Sequence, residues 1–320
     1  MIDLNEIVKG ARRAVIAGHV RPDGDAVGAC IGLMLYLEQI APGLEIKVCL
    51  EDFSDSFRFL EGMDKITPPA LCPRRCDVFF AVDTAAKDRL GDALPLFEEA
   101  ALTVCIDHHI SDPGYAMINE VDADASSASE VVCRLMTETG KITPGCANAL
   151  YLGIVHDSGQ FNYSCTSPDT MRMAAMLMEK GASYEMIIDR TFREKTLTEQ
   201  RIMGAALANS VSAFGGRLLY SVLDGETLQK YGAAHKDLDG ISSQLRTTKG
   251  VDVSFLLSES EPGIWKASLR AGEKVDVNRV AAVFGGGGHV RAAGCTLTGS
   301  AAEAEAQLKE QIGLLLQTQE

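Results

Sequence analysis

The sequence is poor in the features that mark membrane, secreted and duplex-binding proteins. No apolar run approaches the roughly 20 residues that a bilayer-spanning helix needs. The first stretch, MIDLNEIVKGARRAV, is acidic early and lacks the apolar core of a signal peptide. Basic residues are in deficit, since 30 Lys and Arg stand against 44 Asp and Glu, for a net charge of −14. We therefore expect a cytoplasmic protein that binds neither membranes nor long duplex nucleic acid, because phosphate neutralisation dominates affinity for a duplex.

The nine cysteines form no disulfide framework. They are odd in number and scattered, and most stand in apolar surroundings such as IKVCL and TVCID, which is typical of reduced, buried thiols. Cys72 and Cys76 form a lone CPRRC motif, whereas structural zinc requires four ligands. We expect a loop with free thiols there rather than a zinc site.

What the first half does contain is a regular alternation of apolar strands and helical patterns. The predicted strands are 14–18, 45–50, 77–82 and 102–106, and the predicted helices are 26–40 and 126–140. Short apolar strands separated by helices favour a parallel α/β sheet that is covered on both faces. In such sheets, ligands bind beyond the carboxyl ends of the strands.

The pattern changes twice in the second half. Residues 144–212 are predicted to be helical throughout, with Pro144 and Pro168 at helix starts and Gly181 at a stop. From about 215, strands are predicted at 217–223, 251–258, 264–270 and 292–298, and helices at 276–284 and 300–316. The 320 residues therefore predict an α/β parallel-sheet domain at 1–189, a helical connector at 190–213 and a smaller α+β C-terminal domain at 214–320.

Acidic and imidazole side chains follow the predicted strands of the first domain and one of its helices. They are His19, Asp23, Asp25, Asp83, Asp107, His108, His109, His156 and Asp157. Each one alone has an ordinary structural explanation, such as a helix cap. Together at one sheet edge, the carboxylates would repel unless cations neutralised them. Imidazole with carboxylate and no cysteine suits manganese or a similar divalent ion, and this many ligands suits two ions about 3.5–4 Å apart with a bridging aspartate.

These segments also resemble a known family. GHVRPDGDAVGA, AVDT, DHH and HDSGQF resemble, in order and spacing, the four motifs of the DHH phosphoesterases, and FGGGGHVRAAG at 284–294 resembles the signature of the DHH-associated C-terminal domain. The resemblance spans essentially the whole chain. It is strongest to the group of bifunctional oligoribonucleases and 3′-phosphoadenosine 5′-phosphate phosphatases.

The resemblance implies two manganese ions, with magnesium or cobalt as substitutes. One ion would be held by His19, Asp23 and Asp83, and the other by Asp25, Asp83, His108 and Asp157, with Asp83 bridging. His109 would face the substrate phosphate, and Asp107 would orient a histidine; His109, Asp107 and Asp83 form the predicted catalytic set. Many members carry arginine where this chain has Gln160.

The glycine run 285–288 predicts a ligand site in the C-terminal domain. Its glycines allow close backbone approach, and their amides could cradle an anion, although a glycine run alone is usually only a turn. The predicted substrate-binding residues are Arg270, Gly286, Gly287, Gly288 and His289, and the resemblance implies the same role for Arg270 and His289. Arg246 and Asn278 are weaker candidates, for which we favour exposed helix residues.

The resemblance implies a manganese-dependent hydrolase with phosphorylated substrates. These would be short RNA, cleaved to 5′-mononucleotides, or small nucleotides such as 3′-phosphoadenosine 5′-phosphate. Two alternatives stay open: a linear-dinucleotide phosphodiesterase in cyclic-dinucleotide turnover, and a non-catalytic nucleotide- or RNA-binding protein. The complete ligand set argues against the latter, because unused carboxylate clusters are costly to keep. The sequence does not decide the oligomeric state, and a homodimer is kept as an expectation.

Overall fold

The computed structural model describes residues 1–136, 142–272 and 274–317, and it divides the chain into the units Met1–Glu194 and Lys195–Glu320. The strands of the first unit are β1 Arg13–Ala17, β2 Glu45–Cys49, β3 Val78–Val82, β4 Leu102–Asp107 and β5 Ile118–Val121. Its α-helices are α1 Leu4–Ile7, α2 Gly24–Ile40, α3 Leu94–Glu98, α4 Ala128–Met136, α5 Pro144–Asp157, α6 Pro168–Glu179 and α7 Tyr184–Ile188. The domain limits predicted above, including the connector at 190–213, stay a prediction.

In the described part of the first unit, five strands form a sheet in the order β2-β1-β3-β4-β5, and every neighbouring pair is parallel. The predicted parallel α/β sheet is therefore confirmed. Strand β5 is not among the strands predicted from the sequence; it is a short edge strand (INEV) that is only partly buried. The strand order reverses between β1 and β3, and this switch point is where open α/β sheets leave a crevice for ligands.

Both faces of this sheet are covered, because alternate residues of each strand point to opposite sides. On one face, Ile16 and Phe80 belong to a core formed with α2, α4 and α5. On the other, Val15 and Phe79 pack with Leu96 and other side chains of the chain that follows β3.

Glycines let α2 and α5 approach closely. A Cβ atom on Gly28 of α2 would overlap the carbonyl oxygen of Ala149 of α5, and one on Gly153 would overlap Oγ of Ser129. The same approach brings Asp157, at the end of α5, to the carboxyl ends of the strands.

The prediction of helix throughout 144–212 is wrong in two places. Residues 158–167 form turns, in which Gln160 and Phe161 have φ of 56° and 65°. Residues Val211–Ala213 form a strand because they pair with the next strand of the second sheet. Pro144, Pro168 and Gly181 do mark helix limits as predicted. Of the helix predicted at 126–140, Ala128–Met136 is helical, and positions 137–140 lie outside the described residues.

The second unit contains a mixed sheet with helices on both faces, which confirms the α+β prediction. Its strands are β6 Val211–Ala213, β7 Leu218–Leu223, β8 Val253–Glu261, β9 Ile264–Ala271, β10 Gly287–His289 and β11 Ala292–Thr298. Its helices are α8 Leu197–Ala208, α9 Gly225–Tyr231, α10 Ile241–Arg246, α11 Val277–Val283 and α12 Ala301–Gln317. Within the described residues the order is β10-β11-β9-β8-β7-β6, and only β7 and β8 pair in parallel.

Two further expectations concern cysteines and membranes. All nine cysteines are free thiols, and Cys72 contacts Cys49 rather than Cys76, with the two sulfur atoms 3.1 Å apart. Within the described ranges, no helix is both long enough and apolar enough to cross a bilayer.

Candidate metal centre and substrate groove

Backbone amides fix two of the predicted ligands at the start of α2. Asp23 is the N-cap, and its Oδ1 atom accepts hydrogen bonds from the N–H groups of Asp25 and Ala26 at 2.9 and 3.2 Å. Asp25 is fully buried, and its two carboxylate oxygens accept hydrogen bonds from the N–H groups of Ala128 and Ser129 at 2.6 and 2.9 Å. The start of α4 therefore holds Asp25 across more than 100 residues of sequence.

Asp83 follows β3 directly and contacts two histidines. Its φ of +54° lies in the left-handed region, which is uncommon for a residue other than glycine. Its Oδ2 atom lies 3.6 Å from Nε2 of His19, and its Oδ1 atom lies 3.5 Å from Nε2 of His108. Burial acts to raise the pKa of Asp83, but the two imidazoles hold that pKa below the usual range for aspartate. Asp83 is therefore an ionised carboxylate between two histidines.

Two groups of possible ligand atoms meet at Asp83, and within each group the atoms lie no more than 4.8 Å apart. The first group is His19, Asp23 and Asp83, and the second is Asp25, His108 and Asp157. In the second group, Nε2 of His108 lies 3.9 Å from Oδ2 of Asp25 and 3.2 Å from Oδ2 of Asp157. Oδ1 of Asp83 lies beside that same nitrogen. The structure therefore brings all six predicted metal ligands together, with Asp83 in contact with both groups.

Burial and neighbouring charges shift the pKa values of this cluster. Burial raises the pKa of Asp25 well above its usual value, and the charges of Asp83 and Asp157 raise it further. Burial acts to lower the pKa of His108, but the neighbouring carboxylates of Asp157 and Asp83 raise it to about 11. The carboxylates of Asp157 and Asp83 therefore favour the protonated form of the His108 imidazole.

His109 and Asp107 form a pair at the end of β4, beside Asp83, whose Oδ1 atom lies 3.7 Å from Nδ1 of His109. Asp107 is fully buried, and its Oδ1 atom lies 2.7 Å from Nδ1 of His109 and accepts a hydrogen bond from the N–H group of His108. The Asp107 carboxylate raises the pKa of His109. Because Nδ1 of His109 is engaged in this way, Nε2 is the ring nitrogen that stays outside the contact with Asp107. This is the arrangement expected of a carboxylate that orients a histidine.

His156, next to the ligand Asp157, is a packing residue. Its ring lies 5.3 Å from that of Phe57 and 5.0 Å from that of Phe192, between centroids. A Cβ atom on Gly24 would overlap this ring, so glycine is required there for the start of α2 to pack on the end of α5. His156 therefore helps to place ligands from two helices without pointing into the cluster's ligand groups.

The donor set fits divalent metal ions. Oδ1 of Asp83 and Nε2 of His108 are both buried, and neither has a hydrogen-bond partner among the described residues. Buried polar atoms without a partner are costly, and a cation between them would satisfy both. Imidazole nitrogen and carboxylate oxygen are the donors that manganese and related ions accept.

The second unit holds a cavity of about 710 Å³ on one face of its sheet, within the size range of small-molecule sites. Of the predicted substrate-binding residues, Arg270, Gly286 and Gly287 line it, whereas Gly288 and His289 lie on β10 outside its lining. Arg246 and Asn278 lie in helices as expected, but they are half-buried rather than exposed.

Neighbouring residues of β9 and β11 form the floor of this cavity. Arg270, Ser268 and Lys266 alternate along β9 and line the cavity. The register places Gly294 beside Ser268, and Thr296 beside Lys266. Arg270 and Lys266 therefore lie at the two ends of a floor of small residues. The two residues are about 13 Å apart along the strand, at about 3.3 Å per residue.

Two glycines of the 285–288 run lie against the protein's own backbone. A Cβ atom on Gly286 would overlap the carbonyl oxygen of Gly294, and one on Gly288, whose φ is 150°, would overlap that of Ala292. These two glycines are required because β10 and β11 lie so close together.

Two basic residues near these sites escaped the sequence analysis. Lys266 lies on the same strand face as Arg270, and the alternation in IWKASLRA could have revealed it. Arg89 places its Nη2 atom 3.1 Å from Nδ1 of His19. No local pattern indicates this contact, because the two residues are 70 positions apart.

The fold and site define an α/β protein with a candidate metal centre at the switch point of a parallel sheet. Comparison with known proteins agrees: residues 13–154 match the DHH family, N-terminal domain, and residues 215–317 match the DHHA1 domain. The chain is 31% identical to the bifunctional oligoribonuclease and PAP phosphatase NrnA of Thermus thermophilus, over 92% of this chain and 87% of that protein. It is 26% identical to the protein of the same name from Bacillus subtilis, over 88% of each.

A solved structure agrees with the fold over nearly the whole chain. An exopolyphosphatase-related protein from Bacteroides fragilis is 26% identical, with a TM-score of 0.86 over 97% of this chain and 95% of that one. The chain belongs to the DHH family of phosphoesterases. The prediction of a hydrolase acting on phosphoester bonds is confirmed at this level.

Proposed function

We propose that this protein is a manganese-dependent phosphoesterase that cleaves short RNA to 5′-mononucleotides and converts 3′-phosphoadenosine 5′-phosphate to AMP. The observation that carries the proposal is Asp83, a buried carboxylate in contact with both ligand groups at the switch point of the sheet. The names of the Thermus and Bacillus relatives support both substrates.

The six ligands would hold two ions. His19 and Asp23 would hold one, Asp25, His108 and Asp157 the other, and Asp83 would bridge them. When bound, such ions lower the pKa of a coordinated water and stabilise charge on phosphate oxygens. The protein's part is to fix the ligands beforehand, which it does through the amides that hold Asp23 and Asp25.

His109 would act on the phosphate directly. Asp107 holds its ring through Nδ1, so Nε2 can donate a proton or a hydrogen bond. The hydrogen bond to Asp107 raises the pKa of His109, which favours the protonated ring. A charged donor at this place would stabilise negative charge on the phosphate or on the leaving oxygen.

The cavity of the second unit, called the groove below, would bind the part of the substrate that is not being cleaved. Arg270 can pair with a phosphate through its planar guanidinium, and the small residues Ser268 and Gly294 leave room for a nucleoside. Lys266, further along the same strand face, would meet the phosphate of an additional nucleotide. Binding energy from this groove would position the scissile phosphate rather than activate water. A groove of this size favours short substrates.

The decisive experiment is product analysis on 5′-labelled RNAs of two to about ten nucleotides, together with 3′-phosphoadenosine 5′-phosphate and a linear dinucleotide of guanosine. We expect hydrolysis to require a divalent ion, to be best with manganese and to fall beyond about five nucleotides. Full activity in chelator would contradict the metal assignment. Cleavage of the linear guanosine dinucleotide alone would favour the phosphodiesterase alternative, and binding without any product would favour the non-catalytic one.

A further inference from the structure

Arg89 is fixed at the rim of the candidate metal centre by its own backbone. Its carbonyl oxygen accepts a hydrogen bond of 2.8 Å from the N–H group of Val20, in the loop that carries His19. Two residues later, Gly91 has φ of +54°, and a Cβ atom there would overlap the side chain of Val20. The chain at Arg89 is therefore pressed against this loop, although the Arg89 side chain is exposed.

The side chain of Arg89 reaches a ring nitrogen that has two possible partners. Nδ1 of His19 lies 3.1 Å from Nη2 of Arg89 and 3.0 Å from the carbonyl oxygen of Val20. A guanidinium only donates hydrogen bonds, and a carbonyl oxygen only accepts them. Nδ1 must therefore lack a proton to bond with Arg89 and must carry one to bond with Val20. The two contacts require different states of the ring.

A metal ion on His19 would select between these states. Nε2 of His19 faces Asp23 and Asp83, at 3.9 and 3.6 Å, so it is the ring atom on the ligand side. Metal binding needs the lone pair of Nε2, which leaves the proton of the neutral ring on Nδ1, where it donates to a backbone carbonyl. Arg89 then loses its acceptor. Among the described residues, no carboxylate lies within ion-pair distance of Arg89.

We propose that the guanidinium of Arg89 binds a phosphate oxygen of the substrate on the His19 side of the metal centre; this rests on the proposed function. A guanidinium matches phosphate geometry with paired N–H donors. The carboxylates of the two ligand groups would be engaged with metal ions when these are bound, so a substrate phosphate would be the acceptor that remains for Arg89.

The test compares Arg89→Gln and Arg89→Lys with Lys87→Gln, a matched loss of charge at an exposed residue of the same segment. We expect Arg89→Gln to raise KM for 3′-phosphoadenosine 5′-phosphate or for an RNA dinucleotide about 10- to 100-fold, the range for losing a charged hydrogen bond. Arg89→Lys should recover part of this loss. Lys87→Gln should behave as wild type.

Titration calorimetry provides two readouts that do not depend on turnover: manganese binding to metal-free protein, and inorganic phosphate binding to manganese-loaded protein. We expect Arg89→Gln to bind manganese normally and phosphate more weakly. A manganese affinity that falls about 10- to 100-fold, as when a partner of a ligating histidine is lost, would show that Arg89 acts through His19 and would overturn the proposal. Phosphate affinity and KM equal to those of Lys87→Gln would overturn it as well.

These readouts also separate the inference from the proposed function. One outcome is that the wild-type protein hydrolyses none of the phosphoesters, but Arg89→Gln binds phosphate more weakly than wild type does. In that case the proposed function fails and the inference stands. If wild type is active and Arg89→Gln is unchanged, only the inference fails.

Discussion

Nε2 of His108 lies 3.5 Å from Oδ1 of Asp83, and both atoms are buried without a hydrogen-bond partner among the described residues. The two residues come from different strands, β4 and β3, whose carboxyl ends are neighbours in the sheet. A pair of facing, unsatisfied ligand atoms is expected where an ion completes the structure.

Asp83→Asn should be among the most damaging single substitutions, because one side chain contacts both ligand groups. We expect kcat/KM to fall at least about 1000-fold, as when a principal charge-stabilising group is removed, and bound manganese to fall in elemental analysis. Asp92→Asn removes the same charge from an exposed position and should change neither value. Near-normal turnover of a folded Asp83→Asn protein would show that Asp83 is not the bridge.

Close packing of α2, α4 and α5 should be sensitive to one methyl group. A Cβ atom on Gly153 would overlap Oγ of Ser129 and approach Oδ1 of Asp25 to 2.5 Å. We expect Gly153→Ala to lower the free energy of unfolding by about 1–3 kcal/mol and to weaken manganese binding. Gly204→Ala in α8 meets no atom within 4 Å, so helix propensity should raise stability by up to about 1 kcal/mol. Urea denaturation of both variants provides the comparison, and equal effects would contradict the packing described.

A buried carboxylate outside the two ligand groups, Glu130 in α4, gives a pH-dependent prediction. It accepts hydrogen bonds from Ser126, Arg134 and Thr170 at 2.7, 2.6 and 2.9 Å. Burial acts to raise the pKa of Glu130, but these donors hold it below the usual 4.5. The ionised form therefore stabilises the fold above pH 4.5, and this contribution is lost as pH falls through the lowered pKa.

We expect Glu130→Gln to lower the free energy of unfolding by about 1–3 kcal/mol at pH 7, with the difference from wild type shrinking below pH 4.5. Urea denaturation at several pH values measures this. Glu98→Gln, at an exposed position, is the control. A difference that stays constant with pH would mean that the charge of Glu130 contributes nothing.

Substitutions in the groove should weaken the positioning of nucleotide substrates without affecting the chemical step. Arg270→Ala should lower kcat/KM on dinucleotides and on 3′-phosphoadenosine 5′-phosphate by about 10-fold or more. Lys266→Ala should act mainly on RNAs of three or more nucleotides. Both should still cleave bis(p-nitrophenyl) phosphate and keep their manganese, whereas Lys249→Ala, at an exposed position, should match wild type on every substrate. If Arg270→Ala lost as much activity on bis(p-nitrophenyl) phosphate as on dinucleotides, Arg270 would act in the chemical step.

Local sequence pattern was enough for the main elements because their signals are local. Strands β1, β3 and β4 of the first sheet are mainly apolar runs, and Pro144 and Pro168 begin helices whose φ they already prefer. The missed strands β5, β6 and β10 are short and depend on pairing with partners. The prediction of helix at 158–167 is wrong, although Gly159 and the polar residues around it favour a turn.

The motifs alone indicate the chemistry of this protein, because they contain the ligand types in their order along the chain. How those ligands are arranged depends on contacts made in the folded protein. The tertiary structure places Asp83 between His19 and His108, pairs His109 with Asp107 and places Arg89 beside His19. It also turned two glycines of the 285–288 run toward β11. These are contacts between residues far apart in sequence or between neighbours that point in different directions, and only strand register and helix packing can fix them.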